Sequence, residues 1–123
     1  MKKFTIILIL IFFNKTILAS TLFDTSFFEM EFNSSQIENT KIEKINEIKK
    51  LSFINILKKT LLKKNFYNVN QNLTDNLINT FVKNIIINDE KIVNNKYYSK
   101  IKINFHKNII INYFRENNIP YIE

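Results

Sequence analysis

The stretch that decides the fold is NIIINDEKIVNNKYYSKIKINF, residues 84–105. It contains two runs rich in β-branched and aromatic residues, separated by Asn94-Asn95. In the second run Ile101, Ile103 and Phe105 alternate with polar residues, which is the period of a strand with one buried face. A two-residue link favours a primed turn, and asparagine tolerates the positive φ angles that such a turn requires. The pattern therefore predicts a β-hairpin.

Upstream of the hairpin, the apolar periodicity predicts one strand and two helices. Residues 25–32 alternate, with Glu29 and Glu31 on the polar face, and predict a strand. Residues 37–64 carry apolar side chains at every third or fourth position, which predicts one long amphipathic helix. Lys63-Lys64 and Asn65 predict its end, with asparagine in the left-handed position that glycine usually takes. Thr74 is the predicted N-cap of a second helix.

Downstream of the hairpin, the sequence predicts a short helix and a last strand. Residues 107–117 have an apolar face that includes Ile110 and Phe114, and residues 119–123 are predicted to be extended. The resulting order, β-α-α-β-β-α-β, predicts an α+β protein with its helices packed on one mostly antiparallel sheet. Residues 20–123 are long enough for a single small domain with one modest core.

The amino terminus has the pattern of a secretory signal peptide and predicts a signal helix in residues 1–19. Met1-Lys2-Lys3 precedes residues 4–13, which are apolar except for Thr5. This run is half the length of about 20 residues that a spanning helix needs, and the small pair Ala19-Ser20 follows. Cleavage is predicted after Ala19, and an uncleaved signal anchor extending through Ile17-Leu18 is the alternative. The predicted location is the periplasm, or the inner membrane with a periplasmic body.

The composition excludes several familiar catalytic and binding frameworks. The chain has no Gly, no Cys and a single His. Without glycine it contains no P-loop, dinucleotide fingerprint or nucleophile elbow. Without cysteine it forms no disulfide and no thiolate metal site. The sequence therefore predicts no cofactor and no metal site, and its abundance of Ile, Asn and Lys is typical of an AT-rich genome.

Acidic and nucleophilic side chains give no complete catalytic set. Glu29 and Glu31 share a strand face, and paired carboxylates can act as acid and base when their environments differ. Because the opposite face of that strand is apolar, both are predicted to face water instead. Asp89-Glu90 predicts a bulge or an early turn, and His106 predicts a cap or surface residue at the start of the last helix. The sequence therefore predicts a protein that is not an enzyme.

A lysine-rich helix is the strongest polar feature. Its eight lysines are Lys41, Lys44, Lys49, Lys50, Lys58, Lys59, Lys63 and Lys64. Such a face can bind anionic lipid or nucleic acid, and the simpler interpretation is a solvated face over a core stripe. Cleavage after Ala19 would remove three lysines and no acidic residue, which lowers the formal net charge from +7 to +4. That small charge and the single arginine, Arg115, disfavour nucleic acid and leave an anionic membrane surface as a candidate partner.

Residues 81–121 carry a family resemblance. An alternating strand ends at Phe105-His106, a helix follows, and the chain leaves it through Asn118 and Ile119-Pro120-Tyr121. This pattern resembles the exported proteobacterial family of unknown function that is number twenty sixty-six in the domain-of-unknown-function series. In that family an aspartate stands at the position of His106, a glycine at Asn118 and usually a tryptophan at Tyr121. The resemblance covers about a third of the chain, and it implies an exported envelope protein that is truncated at its C-terminus relative to longer members.

These observations predict an exported bacterial envelope protein that acts as a non-catalytic protein-interaction module. Its partner would be another envelope protein, bound through a free sheet edge or through the unpaired final strand. The alternative prediction is a protein that binds anionic membrane surfaces through the lysine-rich helix, residues 41–64.

Overall fold

The computed structural model describes residues 22–123, so the predicted signal peptide lies outside the described residues. Within this range the chain forms four helices and one three-stranded antiparallel sheet, which confirms the α+β class. In chain order the elements are β1 (Phe28–Asn33), α1 (Ile37–Thr60), α2 (Lys63–Gln71), α3 (Asp75–Phe81), β2 (Val82–Val93), β3 (Lys96–Phe105) and α4 (Lys107–Glu116). None of the helices in residues 22–123 is long and apolar enough to cross a bilayer.

The predicted hairpin is confirmed. Strands β2 and β3 pair antiparallel and are joined by Asn94 and Asn95, whose φ angles are 51° and 61°. Two consecutive positive φ angles define a type I′ turn, whose twist matches that of the strands it joins. Strand β3 is central, because β1 pairs antiparallel with its other side and places Phe28 opposite Ile101.

The prediction of one helix over residues 37–64 is wrong. Helix α1 ends at Thr60, Leu61 and Leu62 have extended backbones, and Lys63 begins α2 instead of ending a helix. The extended pair Leu61-Leu62 redirects the chain, so that Leu61, at 6% exposure, and Val69 of α2, at 5%, pack into the core.

The prediction of a final strand at residues 119–123 is also wrong. The segment forms no strand, and its backbone is bonded to helices: the N–H of Ile119 donates to the carbonyl of Phe114, and that of Ile122 to the carbonyl of Thr60. Pro120 has no N–H and could not donate to a strand ladder. The ring of Tyr121 packs against Phe114 at 5.5 Å between centroids.

The core lies between the inner face of the sheet and the helices. Phe53 of α1 is fully buried at its centre. Its ring stacks on Phe81 at 5.0 Å and lies 5.6 Å from Phe105, measured between centroids. The predicted N-cap is confirmed, because the side chain of Thr74 accepts a hydrogen bond from the N–H of Leu77 at 3.2 Å. The opposite face of the sheet, which carries Glu29 and Glu31, is open to solvent.

Candidate functional site

The free edge of β2 is the longer of the two free edges of the sheet. Because the sheet order is β1-β3-β2, strand β2 has a partner on one side only. It is 12 residues long, twice the length of β1, which has 6. An edge strand presents unpaired N–H and C=O groups, which are a template for another strand. Between residues 22 and 123, no backbone hydrogen bond joins residues 84–88 to any element other than β3.

Residues 84–88 are the regular part of this edge. The pairing of β2 with β3 is continuous from Asn84 to Asn88 and is interrupted on both sides, between Val82 and Asn84 and between Asn88 and Lys91. The second interruption is a bulge, as Asp89-Glu90 predicted, since these two residues lie opposite Ser99 alone. Asp89 has a φ of 55°, the left-handed conformation that glycine often supplies in such bulges. We call residues 84–88 the open edge.

Apolar side chains are exposed on the open edge. The exposed fractions of Ile85 and Ile86 are 37% and 36%. Ile86 is opposite Lys102 on the solvent face of the sheet, while Ile85 is opposite the buried Ile103. The sequence predicted a strand here and a free sheet edge in the protein, but not that this strand would form that edge. Its signal was the unbroken Ile85-Ile86-Ile87 run, because three consecutive apolar residues in a strand place one on the solvent face.

A polar cluster fastens the bulge to the rest of the fold. The Nζ of Lys41 in α1 donates to Oε2 of Glu90 at 2.7 Å, and the hydroxyl of Tyr97 donates to the same oxygen at 2.5 Å. Lys41 also lies over the Tyr97 ring, 5.4 Å from its centroid. Because Glu90 belongs to the bulge, these bonds tie the end of the open edge to both the long helix and the central strand.

The same contacts shift three pKa values. The hydrogen bond to Glu90 raises the pKa of Lys41 above its ordinary value. The hydrogen bonds from Lys41 and then from Tyr97 lower the pKa of Glu90. Burial, followed by the hydrogen bond to Glu90, raises the pKa of Tyr97. Each group is therefore held in its ordinary state at neutral pH, whereas general acid–base catalysis needs a pKa near the working pH. The cluster of Lys41, Glu90 and Tyr97 is therefore suited to a structural role.

The structure divides the eight predicted anion-binding lysines among different surroundings. Lys41 pairs with Glu90, Lys44 with Glu47 at 3.1 Å, and Lys49 donates to the side-chain oxygen of Asn79 at 3.1 Å. Lys59 donates to the carbonyl of Asp24 at 2.8 Å. The remaining four are exposed: Lys50 and Lys58 on α1, and Lys63 and Lys64 on α2. The eight therefore do not share one continuous helical face.

Two of these lysines lie beside aromatic and apolar side chains at the junction between α1 and α2. A shallow cleft of about 260 Å³ is lined by Lys58, Lys63, Phe66 and Tyr67, together with Leu61. Tyr67 is 54% exposed. The side chain of Leu62, between the two helices, is 63% exposed. We call this combination of Lys58, Leu62, Lys63, Phe66 and Tyr67 the basic corner.

The other residues that the sequence singled out lie apart from the open edge and the basic corner. Glu29 and Glu31 are exposed on the open face of the sheet, as predicted, and Glu31 forms an ion pair with Lys96 at 2.6 Å that raises the pKa of that lysine. His106 is exposed at the N-cap position of α4, and its side chain makes no capping hydrogen bond.

One buried hydroxyl lines a separate cleft. Ser52 of α1 is 1% exposed, and its Oγ has no hydrogen-bond partner among the described residues. It faces a cleft of about 370 Å³ whose lining also includes Asp24, Asn55 and Lys58. A serine nucleophile needs a hydrogen-bonded base, and Ser52 has none in residues 22–123. In the same residues, no group of three or more His, Cys, Asp or Glu side chains is placed to hold a metal ion.

Comparisons of the chain with known protein families, with curated proteins and with solved structures found no match.

Proposed function

We propose that this chain is a non-catalytic protein-interaction module of the bacterial cell envelope. It binds an extended segment of a partner protein by strand addition to the open edge. In this mode main-chain hydrogen bonds supply affinity, and side chains on both faces of the added strand supply specificity. The observation that carries the proposal is an uninterrupted stretch of edge backbone beside the exposed side chains of Ile85 and Ile86.

The chemistry of the edge indicates the chemistry of its partner. Natural edge strands are usually protected by charges, prolines or bulges, and the open edge contains none of these between Asn84 and Asn88. Ile85 and Ile86 lie on opposite faces of the sheet, and each exposes more than a third of its surface. A partner segment with β-branched or other apolar residues at consecutive positions would cover both side chains.

Strand addition is tested by affinity capture from the native envelope with a matched pair of variants. Ile86→Lys places a charge on the open edge, whereas Ile109→Lys makes the same change on α4 at a residue that is 42% exposed. We expect Ile86→Lys to lose the partner that the wild-type protein and Ile109→Lys retain. Equal capture by all three proteins would contradict binding at the edge.

Export to the periplasm completes the proposal and rests on residues 1–19. A basic start, a ten-residue apolar run and a small-residue exit are typical of a cleaved signal peptide. Mass spectrometry of the protein recovered from fractionated cells is expected to find it in the periplasm with Ser20 as its first residue. Recovery from the inner membrane with residues 1–19 attached would instead support the signal anchor, and recovery from the cytoplasm would contradict export.

Binding to an anionic membrane surface is the second candidate, and the basic corner favours it. Exposed leucine and tyrosine beside lysines are the combination that inserts at a lipid headgroup boundary. Two exposed lysines, Lys58 and Lys63, line the cleft at this corner, and the exposed Lys64 follows directly in the chain.

Cosedimentation with lipid vesicles distinguishes membrane-surface binding from strand addition. If the basic corner binds lipid, the protein will sediment with phosphatidylglycerol vesicles at low salt and less so as ionic strength rises. The double variant Lys58→Gln with Lys63→Gln should weaken that binding. Lys100→Gln with Lys102→Gln, which removes the same charge from the open face of the sheet, should not. Failure to bind at low salt would remove the lipid candidate.

A further inference from the structure

The open edge and the two residues that flank it are self-complementary. Residues 83–89 read KNIIIND. Counted outward from Ile86, isoleucine is followed by asparagine in both directions. The two ends then carry opposite charges, Lys83 on one side and Asp89 on the other.

From this pattern we propose that the open edge pairs antiparallel with the open edge of a second copy of this chain. The two-fold axis is perpendicular to the joined sheet and passes between the two copies of Ile86. In antiparallel pairing, residues directly opposite each other point to the same face. Ile86 then lies opposite the same residue of the second copy, Ile85 opposite Ile87, and Asn84 opposite Asn88. The inference rests on the proposed function, because it uses the same edge.

Charges at the two ends favour this register. Lys83 is exposed and forms no ion pair in the part of the chain that the structure describes. Asp89 has one loose ion pair, with Lys100 at 3.9 Å. In the proposed dimer, Lys83 of each copy approaches Asp89 of the other, so the symmetry creates the pair twice. A slip of the register by two residues would lose both pairs and bring asparagine against isoleucine.

The bulge limits the dimer to one short ladder. Five residues of strand span about 17 Å. Pairing along so short an edge buries far less surface than the area of about 1,600 Å² that stable complexes bury. Self-association is therefore weak and readily exchanged. The same patch is used on both copies, so the contact closes after two chains and does not continue into a filament. The dimer covers the apolar edge until a partner segment displaces the second copy.

Sedimentation of the purified protein over a range of concentrations tests the dimer. We expect a reversible monomer–dimer equilibrium that Ile86→Lys weakens at least about tenfold, because two lysines then face each other on the axis. Ile109→Lys, on α4, should leave the equilibrium unchanged. A wild-type protein that stays monomeric, or a dimer that Ile86→Lys does not weaken, would overturn the inference.

Charge substitutions test the register. Lys83→Glu turns both end pairs from attractive to repulsive and should weaken the dimer about fivefold at low salt. Adding Asp89→Asn removes the repulsion and should restore part of the affinity, since asparagine keeps the left-handed conformation at that position. If Lys83→Glu has no effect at low salt, the proposed register is wrong.

A single cysteine tests the position of the axis. The chain has no cysteine, so Ile86→Cys introduces one thiol in each copy. Under a mild oxidant, this variant should form a disulfide-linked dimer faster than Ile92→Cys, although Ile92 is more exposed, at 56% against 36%. Random collisions would favour position 92. Equal or faster cross-linking there would place the contact elsewhere.

The dimer and the proposed function can fail separately. A monomeric wild-type protein whose envelope partner is lost in Ile86→Lys would retain strand addition and reject the second copy. A dimer lost in Ile86→Lys, with unchanged capture of the envelope partner, would retain the second copy and reject strand addition as the mode of partner binding.

Discussion

Replacing Tyr97 with phenylalanine removes one hydroxyl from the cluster that fastens the bulge. In the wild-type protein this hydroxyl donates to the same oxygen of Glu90 that accepts from Lys41. The ring itself is 1% exposed and stacks on Phe32 at 4.9 Å between centroids, and phenylalanine keeps that packing. The substitution therefore isolates the hydrogen bond.

The expected cost at pH 7 is about 1.5 kcal/mol in the free energy of unfolding. Hydrogen bonds to charged groups contribute about 1.5–3 kcal/mol. The lower end applies here because the side chain of Glu90 is 46% exposed, so water replaces part of the lost interaction. For a domain of this size, the loss corresponds to a decrease of about 1 M in the midpoint of urea unfolding.

The assay is urea unfolding followed by circular dichroism at neutral and acid pH. Since hydrogen bonds from Lys41 and Tyr97 lower the pKa of Glu90, its contribution is present above the unfolded value and is lost as the pH falls through the lowered folded value. The cost of Tyr97→Phe should therefore shrink in acid. Tyr67→Phe is the control, because that ring is 54% exposed and its hydroxyl has no partner in residues 22–123.

Two results would refute this reasoning. A cost below about 0.5 kcal/mol at pH 7 would fall within the range of ordinary surface substitutions, so the hydroxyl would not hold the bulge. A cost that stays the same in acid would show that the loss does not depend on the charge of Glu90. In that case, the packing of Tyr97 and not its hydrogen bond would explain the effect.

Substitutions at three further positions test the fold, each by urea unfolding. Asn95→Gly should stabilise the protein by about 0.5 kcal/mol, because Asn-Gly suits the type I′ turn better than Asn-Asn, while Asn95→Ala should cost about 1 kcal/mol at its φ of 61°. Thr74→Ala should cost about 1 kcal/mol by removing the bond to the N–H of Leu77, and Thr74→Ser should keep it. Phe53→Ala should cost about 3–5 kcal/mol, since the ring is fully buried between two others, and Phe53→Leu should cost markedly less.

The parts of the fold that the sequence predicted are those set by neighbouring residues. The hairpin follows from two alternating runs and from Asn94-Asn95, whose side chains tolerate the required backbone. The N-cap at Thr74 is equally local. In a chain without glycine, the left-handed positions of the described residues fall to asparagine and aspartate, as Asn118 and Asp89 also show.

The parts that the sequence did not predict depend on residues far apart in the chain. Helix α1 ends at Thr60, after which Leu61 and then Val69 of α2 pack into the core, and nothing in the local periodicity marks that end. The tail after α4 binds that same helix end through Ile122, a contact with no signal in sequence spacing. The candidate site divides in the same way. The open edge had a local signal in three consecutive isoleucines, whereas Lys41 and Glu90 come from separate elements and no pattern relates them.

The order of strands in the sheet has a consequence for how the chain folds. Strand β3 joins β2 through a two-residue turn, but its pairing with β1 brings Phe28 to Ile101 across more than half of the chain. Closing so long a loop costs more entropy than closing the hairpin, so β1 is expected to dock late. Until it does, the inner strand has an unfilled side that the first strand of a neighbouring molecule fits equally well. Refolding at high concentration therefore favours domain-swapped pairs, in which two chains exchange their first strands.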